Sequence, residues 1–348
     1  MPQPEITVRG AGIFGLSSAW ALARRGARVR VLDPFGVGAG ASGGLVGALA
    51  PHVPETWNDK KAFQLESLLM AGDWWAEVAA AGGVDPGYAR TGRLQPLADA
   101  AAVAMARARA EGARGLWQGR ATWSVVGAEA LPPGWRPESA TGLYVHDTLT
   151  ARIHPRRALA ALVAALRACD VPVLTGPAAA AADSATGPTL WATGVAGLRD
   201  LRVARPSVKG QAVLLGHAAA DRPQLFVAGL HIVPHADGTV AVGSTSEPGV
   251  ETTTTDAQAD ALVARARAVL PDLAAAPVLD RWAGLRPRAP SRAPMLGPWP
   301  GRPGHFVANG GFKIGFGVAP RVAETMADIL LDGTAAAIPD GWGVPGPG

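Results

Sequence analysis

Ile6-Thr7-Val8-Arg9-Gly10-Ala11-Gly12-Ile13-Phe14-Gly15 opens the stretch that decides the fold, and Arg28-Val29-Arg30-Val31-Leu32-Asp33 closes it. Ile6 to Arg9 is a β-prone run leading directly into Gly-x-Gly-x-x-Gly. Leu16 to Arg25 then places Leu16, Ala19, Trp20 and Ala23 on one helical face. The second β-prone run ends at Asp33, 18 residues past Gly15. Strand, glycine turn, helix, strand and acid is the order a dinucleotide-binding βαβ unit requires. Gly10 makes the tight turn, Gly12 lets backbone approach a pyrophosphate, and Gly15 brings helix onto strand. Ile13 and Phe14 lie in the glycine turn, and the helix that follows favours phosphate through its free N–H groups and dipole. Asp33 can accept from the adenosine ribose hydroxyls, and its charge argues against a 2′-phosphate. The motif serves NAD, NADP and FAD, so neighbouring residues must decide. Gly36 to Gly44, with Ala41-Ser42-Gly43-Gly44 at its end, suits backbone packed closely on a large flat cofactor. The plainer alternative is a flexible surface loop.

The rest of the composition narrows the class. The 348 residues are 48% hydrophobic and 17% charged, enough apolar content for a core and against a disordered chain. Length favours two domains. No apolar run is long enough to cross a membrane, and Met-Pro-Gln-Pro-Glu does not read as a secretory signal, so the cytoplasm is the expected compartment. Cys169 stands alone, which excludes an internal disulfide and a cysteine-based metal cluster. The net charge of +4 comes from 28 Arg and 4 Lys scattered through the chain, without the clustering of a nucleic-acid footprint. Neither Gly-x-Ser-x-Gly nor a phosphate-binding Lys-Ser/Thr is present, which sets aside hydrolase and nucleotide triphosphatase readings.

Further along, Leu225-Phe226-Val227 and His231-Ile232-Val233 read as half-buried antiparallel strands, with Asp237-Gly238 as a hairpin turn. Ala98 to Arg114 and Asp256 to Val269 carry helical periodicity. A last helix is expected from about Val318 to Leu331, with Pro320 in its first turn and Gly333 just past its end. Its positive end would be aimed by a glycine-rich loop.

Taken together these segments resemble the FAD-dependent D-amino-acid oxidase superfamily, its glycine oxidase branch above all. The resemblance rests on the N-terminal βαβ unit, Ala41-Ser42-Gly43-Gly44, Ala192-Thr193-Gly194 and Val208-Lys209-Gly210-Gln211. It continues through Ile232-Val233-Pro234, Val242-Gly243-Ser244-Thr245, Trp282 to Pro287 and Asn309 to Phe316, in family order. It implies an α/β fold with a Rossmann-type FAD-binding domain and a discontinuous α+β substrate domain built on an antiparallel sheet. Residues 1–85, 142–204 and 283–348 are expected in the first, and 86–141 and 205–282 in the second. It also implies non-covalent FAD, held by the Gly10 to Gly15 turn, Asp33, Ala41 to Gly44, Thr193, Gly194 and the loop Gly311-Phe312-Lys313-Ile314-Gly315, where the last helix begins.

The implied reaction is oxidation of the C–N bond of a small amino acid or secondary amine by hydride transfer to flavin, with O₂ or another acceptor taking the electrons. Such chemistry depends mainly on positioning, and an arginine gripping the carboxylate is the usual device. Arg286 is the candidate, with Lys313 as a second basic group. Arg288 and Arg292 follow closely, so a structural or surface arginine is the competing reading. His231 stands where the family often has a substrate-contacting Tyr. It would replace that hydrogen bond, titrate near neutral pH or serve in packing. His231 and His235 lack a third ligand, and no metal is expected. Ser291 replaces a common Asp, Gly311 a common His, and Ala178 to Ala182 a β-branched strand that seats adenine. Three other functions stay open: an amine dehydrogenase passing electrons to a quinone or carrier, the oxidase half of a tRNA wobble-uridine modifying enzyme, and a non-catalytic flavin-binding protein. Oligomeric state is not legible in the sequence.

Overall fold

The computed structural model describes residues 5–182, 187–203, 206–334 and 338–346. The chain opens with β1 (Ile6–Arg9), α1 (Ile13–Arg24) and β2 (Val29–Asp33). The short strand β3 (Ala48–Leu49) precedes the long helix α2 (Asp59–Gly82). There follow β4 (Arg93–Pro96), α3 (Ala100–Trp117), β5 (Trp123–Gly127), β6 (Leu143–Asp147) and β7 (Ala151–Arg152). Next come α4 (Pro155–Ala168), β8 (Val173–Thr175), α5 (Gly176–Ala181), β9 (Thr189–Trp191) and α6 (Gly194–Asp200). A run of strands, β10 (Val208–Gly216), β11 (Gln224–Val227), β12 (Leu230–Pro234), β13 (Thr239–Gly243) and β14 (Glu247–Pro248), leads to α7 (Ala257–Val269). The chain closes with β15 (Val278–Arg286), β16 (Met295–Pro298), β17 (His305–Asn309) and α8 (Gly315–Asp332).

Capping explains several helix limits. Asn58, Asp99 and Asp256 each accept a backbone N–H within the first turn of α2, α3 and α7. Gly83 and Gly333 end α2 and α8 in the left-handed conformation that glycine adopts most readily. Helix α8 begins at Gly315, three residues earlier than its pattern predicts. Pro320 therefore lies beyond the first turn, inside the helix. The loop glycines offered no sequence signal for that extra turn. Ala178 to Ala181 form most of α5.

Two sheets organise these elements. The first runs β16-β17-β9-β1-β2-β8, parallel except for the antiparallel edge pair β16 and β17. Helices α1, α2, α4 and α8 contribute to one hydrophobic core, including Leu16, Trp20, Trp74, Trp75, Leu162 and Val322. The second runs β14-β10-β13-β12-β11-β4-β6-β5, with β15 also paired to β10. It is antiparallel throughout except where β4 meets β11. A second core gathers its apolar face against α7, through Val213, Ile232, Leu262 and Val263 among others.

Sheet membership can be set beside the expected segments. Strand β6, inside the 142–204 segment, pairs with β4 and β5 in the second sheet. Strand β15 runs through 282/283 without a break. The limit between 204 and 205 lies outside the described residues, as does most of Met-Pro-Gln-Pro-Glu. No described helix is long and apolar enough to cross a membrane.

The junction of β4 and β6 carries a buried charge pair. Arg93 and Asp147 are register partners, and Arg93 Nε lies 2.9 Å from Asp147 Oδ2 without hydrogen-bond alignment. The Asp147 side chain is fully buried, and its other oxygen accepts from the Thr150 N–H at 2.8 Å. Removing one partner of such a pair strands the other charge in the interior. Asp147→Ala is therefore expected to lower the unfolding free energy by about 3 kcal/mol. Urea unfolding checks this as a lower midpoint at an unchanged slope.

Candidate functional site

The glycine turn is built by close backbone approach. A Cβ on Gly15 would overlap the Gly10 carbonyl oxygen, and one on Gly10 would overlap the Ala192 carbonyl. These contacts press α1 onto β1, and β1 onto the end of β9. Asp33 secures the same turn from β2, accepting from the Ala11 N–H at 2.8 Å and the Phe35 N–H at 2.9 Å. The acid predicted to face a ribose thus already engages both oxygens with backbone, each keeping further lone-pair capacity. Ser42 Oγ accepts from the Ile13 N–H at 3.0 Å, so one N–H at the start of α1 is already met by a side chain.

A cavity of about 510 Å³ opens beside this turn, between the two sheets. The structure brings together in its wall Gly12, Ile13, Phe14, Ala41, Ser42, Gly44 and Gly194. From the distant segments it adds Gly311, Phe312, Lys313, Ile314, Gly315, His231 and Arg286. Five residues of the same expectation stand outside it: Gly10, Gly15, Asp33, Gly43 and Thr193. Gly10, Gly15 and Asp33 act behind the wall as described. A Cβ on Gly43 would overlap the Gly38 carbonyl, so this glycine folds the loop on itself. The Thr193 hydroxyl is buried without a partner, at the N-cap of α6.

The second helix start in the wall is that of α8. Gly310 and Phe312 both have positive φ, 74° and 43°, and the Ile314 N–H donates to the Gly311 carbonyl at 2.9 Å. Gly311 is confined, because a Cβ there would lie 2.9 Å from Phe14 Cζ and 3.1 Å from Gly315 Cα. Neither α1 nor α8 has a side-chain cap from its own N-cap residue, Gly12 or Ile314, or an acid in its first turn. Two helix N-termini thus present positive partial charge to one groove, as a pyrophosphate or a reduced flavin's negative charge requires. With a glycine-lined wall that side chains would fill, the residues fit an FAD-sized anionic dinucleotide.

The far end of the cavity is formed by the second sheet. Arg286, at the end of β15, is only 8% exposed. Its guanidinium donates to the carbonyls of Thr245 at 3.1 Å and Lys209 at 3.4 Å, and to Ser244 Oγ at 2.7 Å. It meets no carboxylate within ion-pair distance among the described residues. Glu247 on β14 is occupied by Lys209, Gln211 and Thr245. Burial lowers the basicity of Arg286, partly offset by the charge of Glu247. A Cβ on Gly210 would land on this guanidinium, so the glycine of Lys209-Gly210-Gln211 makes the space in which the arginine lies.

Lys313 is exposed at the rim, with Nζ 5.6 Å from the Phe312 ring centroid. Its basicity is lowered by burial first, then by Arg286 and Arg292. His231 lies against Phe226, ring centroids 4.7 Å apart, and its Nδ1 is buried without a partner. Burial, followed by the charges of Arg93 and Lys313, lowers its pKa to about 4. The expectation that His231 titrates near neutral pH is corrected accordingly: the imidazole is neutral there because it sits desolvated among cations.

Sequence reasoning passed over several wall residues, notably Val46, Phe226, Ser244, Trp282 and Asn309. Trp282 and Ser244 fall inside quoted motifs, but nothing local tells which side of a strand faces a cavity. His235 was set aside as a metal ligand, and its role is in the wall's support. Its Nε2 lies 3.2 Å from the Leu45 carbonyl, behind the loop that lines the cavity, and its ring packs 4.6 Å from that of His154. No group of three or more His, Cys, Asp or Glu among the described residues is placed to hold a metal.

Comparison with known proteins follows the same lines. The model of the DAO family, described as FAD dependent oxidoreductase, matches residues 5–329. A glycine oxidase of Pseudomonas putida is 29% identical over 94% of this chain and 94% of its own. Among solved structures, glycine oxidase from Geobacillus kaustophilus superposes with a TM-score of 0.84 at 21% identity, covering 99% of both chains. Iminodiacetate oxidase from Chelativorans sp. BNC1 gives the same TM-score of 0.84 at 22% identity, over 99% of this chain and 100% of the other. At these identities the two structures speak to the fold.

Burial of neutral imidazole has a pH consequence. His231 and His235 both have pKa values of about 4 against an ordinary 6.5. Between those values the unfolded chain binds the protons more readily. Stability is therefore full above pH 6.5 and falls as pH drops toward 4, by roughly 3 kcal/mol for each histidine. His231→Phe is expected to remove its share of that acid slope. Urea midpoints at about pH 7.5 and about pH 5 measure it, and identical slopes in the two proteins would refute the assignment.

Proposed function

The chain belongs to the DAO family of FAD-dependent oxidoreductases, and on that premise we propose that it oxidises the C–N bond of a small amino acid or secondary amine, of the glycine or D-amino-acid type. The observation that carries this reading is Arg286: a buried guanidinium in the cavity wall, held by neutral acceptors and within ion-pair distance of no carboxylate among the described residues. We assign FAD to the groove lined by Gly12, Ile13, Phe14, Ala41, Ser42, Gly44, Gly194 and Gly311 to Gly315, shaped from behind by Gly10, Gly15, Asp33, Gly43 and Thr193. The sheet β16-β17-β9-β1-β2-β8 with its helices is the cofactor unit in this reading, and the larger sheet is the substrate unit. When bound, FAD supplies the two-electron acceptor for the hydride equivalent removed from the substrate's α-carbon.

The chain's own residues orient the substrate. Three guanidinium hydrogens of Arg286 go to Thr245, Lys209 and Ser244. The Nε–H and one Nη2–H remain, enough for two parallel hydrogen bonds to a carboxylate. With the carboxylate fixed, the α-carbon has a defined place, and positioning of this kind lowers the barrier by pre-ordering the reactants. The amine must carry a free lone pair. Positive charge from Arg286 and Lys313, with the desolvated wall of Phe226, Trp282 and neutral His231, disfavours the ammonium form. The imine product is hydrolysed to an oxo acid and ammonia or an amine, and O₂ or another acceptor completes the turnover.

Anaerobic addition of glycine, sarcosine or a small D-amino acid is expected to bleach the flavin absorbance of the purified holoprotein, and air then tells oxidase from dehydrogenase. Flavin that stays yellow with every carboxylated amine would overturn the reading. Arg286→Ala should keep FAD and lose roughly a hundredfold in kcat/KM. Gly210→Ala, which displaces the same guanidinium, should act in the same direction. Wild-type kcat/KM in Arg286→Ala would remove the clamp.

A further inference from the structure

The wall at the substrate end of the cavity carries three titratable side chains: Arg286, Lys313 and His231. The histidine is neutral at ordinary pH, so the net charge of this end is that of two cations. Arg292, exposed on the loop after β15, adds a third positive charge felt by Lys313. No carboxylate lines the cavity among the described residues.

Several cations elsewhere are balanced by acids, although buried Arg152, like Arg286, is held by carbonyls. Arg24 and Arg25 share Glu324, Arg93 pairs with Asp147, Arg321 with Glu66, and the buried Lys209 with Asp256 and Glu247. Glu247, the carboxylate whose charge reaches Arg286, is already engaged by Lys209, Gln211 and Thr245. Lys313 makes no ion pair or hydrogen bond with a described residue, and it rests over the Phe312 ring at 5.6 Å. Two like charges on the substrate end of the cavity wall favour the entry of an anion there.

The two cations also differ in depth. Arg286 is buried beneath Ser244 and Gly210, whereas Lys313 is exposed at the rim. A single carboxylate gripped by Arg286 leaves Lys313 and its neighbour Arg292 uncompensated. A second anionic group, carried on the other side of the amine nitrogen, would lie toward the rim.

We infer that the site is built for an amine bearing two carboxylates, the inner one held by Arg286 and the outer one by Lys313. The inference rests on the amine-oxidation reading above and adds the substrate's charge class to it. The amine would be secondary, with one carboxymethyl arm to be oxidised and a second acidic arm directed outward. Lys313 is then the residue that sets specificity between monoanionic and dianionic substrates.

The test uses the holoenzyme. The ratio of kcat/KM for iminodiacetate to kcat/KM for sarcosine is expected to exceed one in the wild type. It should fall by about tenfold in Lys313→Met and be largely kept in Lys313→Arg. Binding is read separately through perturbation of the flavin spectrum by compounds without the oxidisable amine. Diglycolate should bind about tenfold more tightly than methoxyacetate in the wild type, with the advantage lost in Lys313→Met. Turnover of sarcosine or glycine with no preference for the diacid, or a preference indifferent to Lys313→Met, overturns the dianion inference and leaves the amine-oxidation reading standing. Bound flavin reduced by neither class overturns both.

Discussion

Gly10, Gly15 and Ala192 meet at the carboxyl ends of the central strands β1 and β9 of the first sheet, with no room for a side chain between them. This contact sets the spacing of β1, α1 and β9, and so determines where the N-terminus of α1 points. Asp33 locks the turn from the neighbouring strand through the Ala11 N–H. Ser42 reaches the Ile13 N–H from the loop that follows β2. The glycine-lined groove is thus referred to a few backbone contacts that tolerate almost no change in size. Close-packed interiors transmit such small misfits to their neighbours.

The opposite wall is organised around Arg286, which meets no carboxylate within ion-pair distance among the described residues. Arg286 reaches the cavity from β15, whose pairing with β10 places Gly210 opposite Gly284 and leaves the guanidinium lying across a glycine. Lys209 on the same strand points into a separate cluster, where Asp256 and Glu247 neutralise it. The two basic residues lie on paired neighbouring strands, one register step apart, yet one is satisfied internally and the other is held by carbonyls and a hydroxyl. That separation keeps the acidic side chains of the domain away from the cavity and preserves an anion-seeking surface there.

Burial without compensation recurs on a smaller scale in the histidines. His231 lies on β12 and His235 just past its end, and both lose basicity through desolvation. One contributes a neutral ring to the cavity and the other donates to the loop behind it. Proton uptake by either would place charge in an apolar or already cationic setting.

The βαβ unit was legible in the residues themselves, because a phosphate-binding turn is a local object completed within Ile6 to Asp33, whereas the family and FAD were implied by the resemblance of segments spread along the chain. Strands β11 and β12, their hairpin partner, and helices α3, α7 and α8 were legible for the same reason, each being set by short-range periodicity and turn residues. What the tertiary structure decided is the charge state and surroundings of the residues those elements carry. That Arg286 meets no acid within ion-pair distance among the described residues, that His231 is neutral, and that Gly210 makes room for a guanidinium depend on residues 42 to 138 positions apart. The start of α8 and the membership of β6 in the larger sheet were likewise hidden, since neither a glycine-rich loop nor a half-buried strand states its partner. A side chain's chemistry is written in the sequence, but its solvation and its neighbours come into being only when the sheets close on one another.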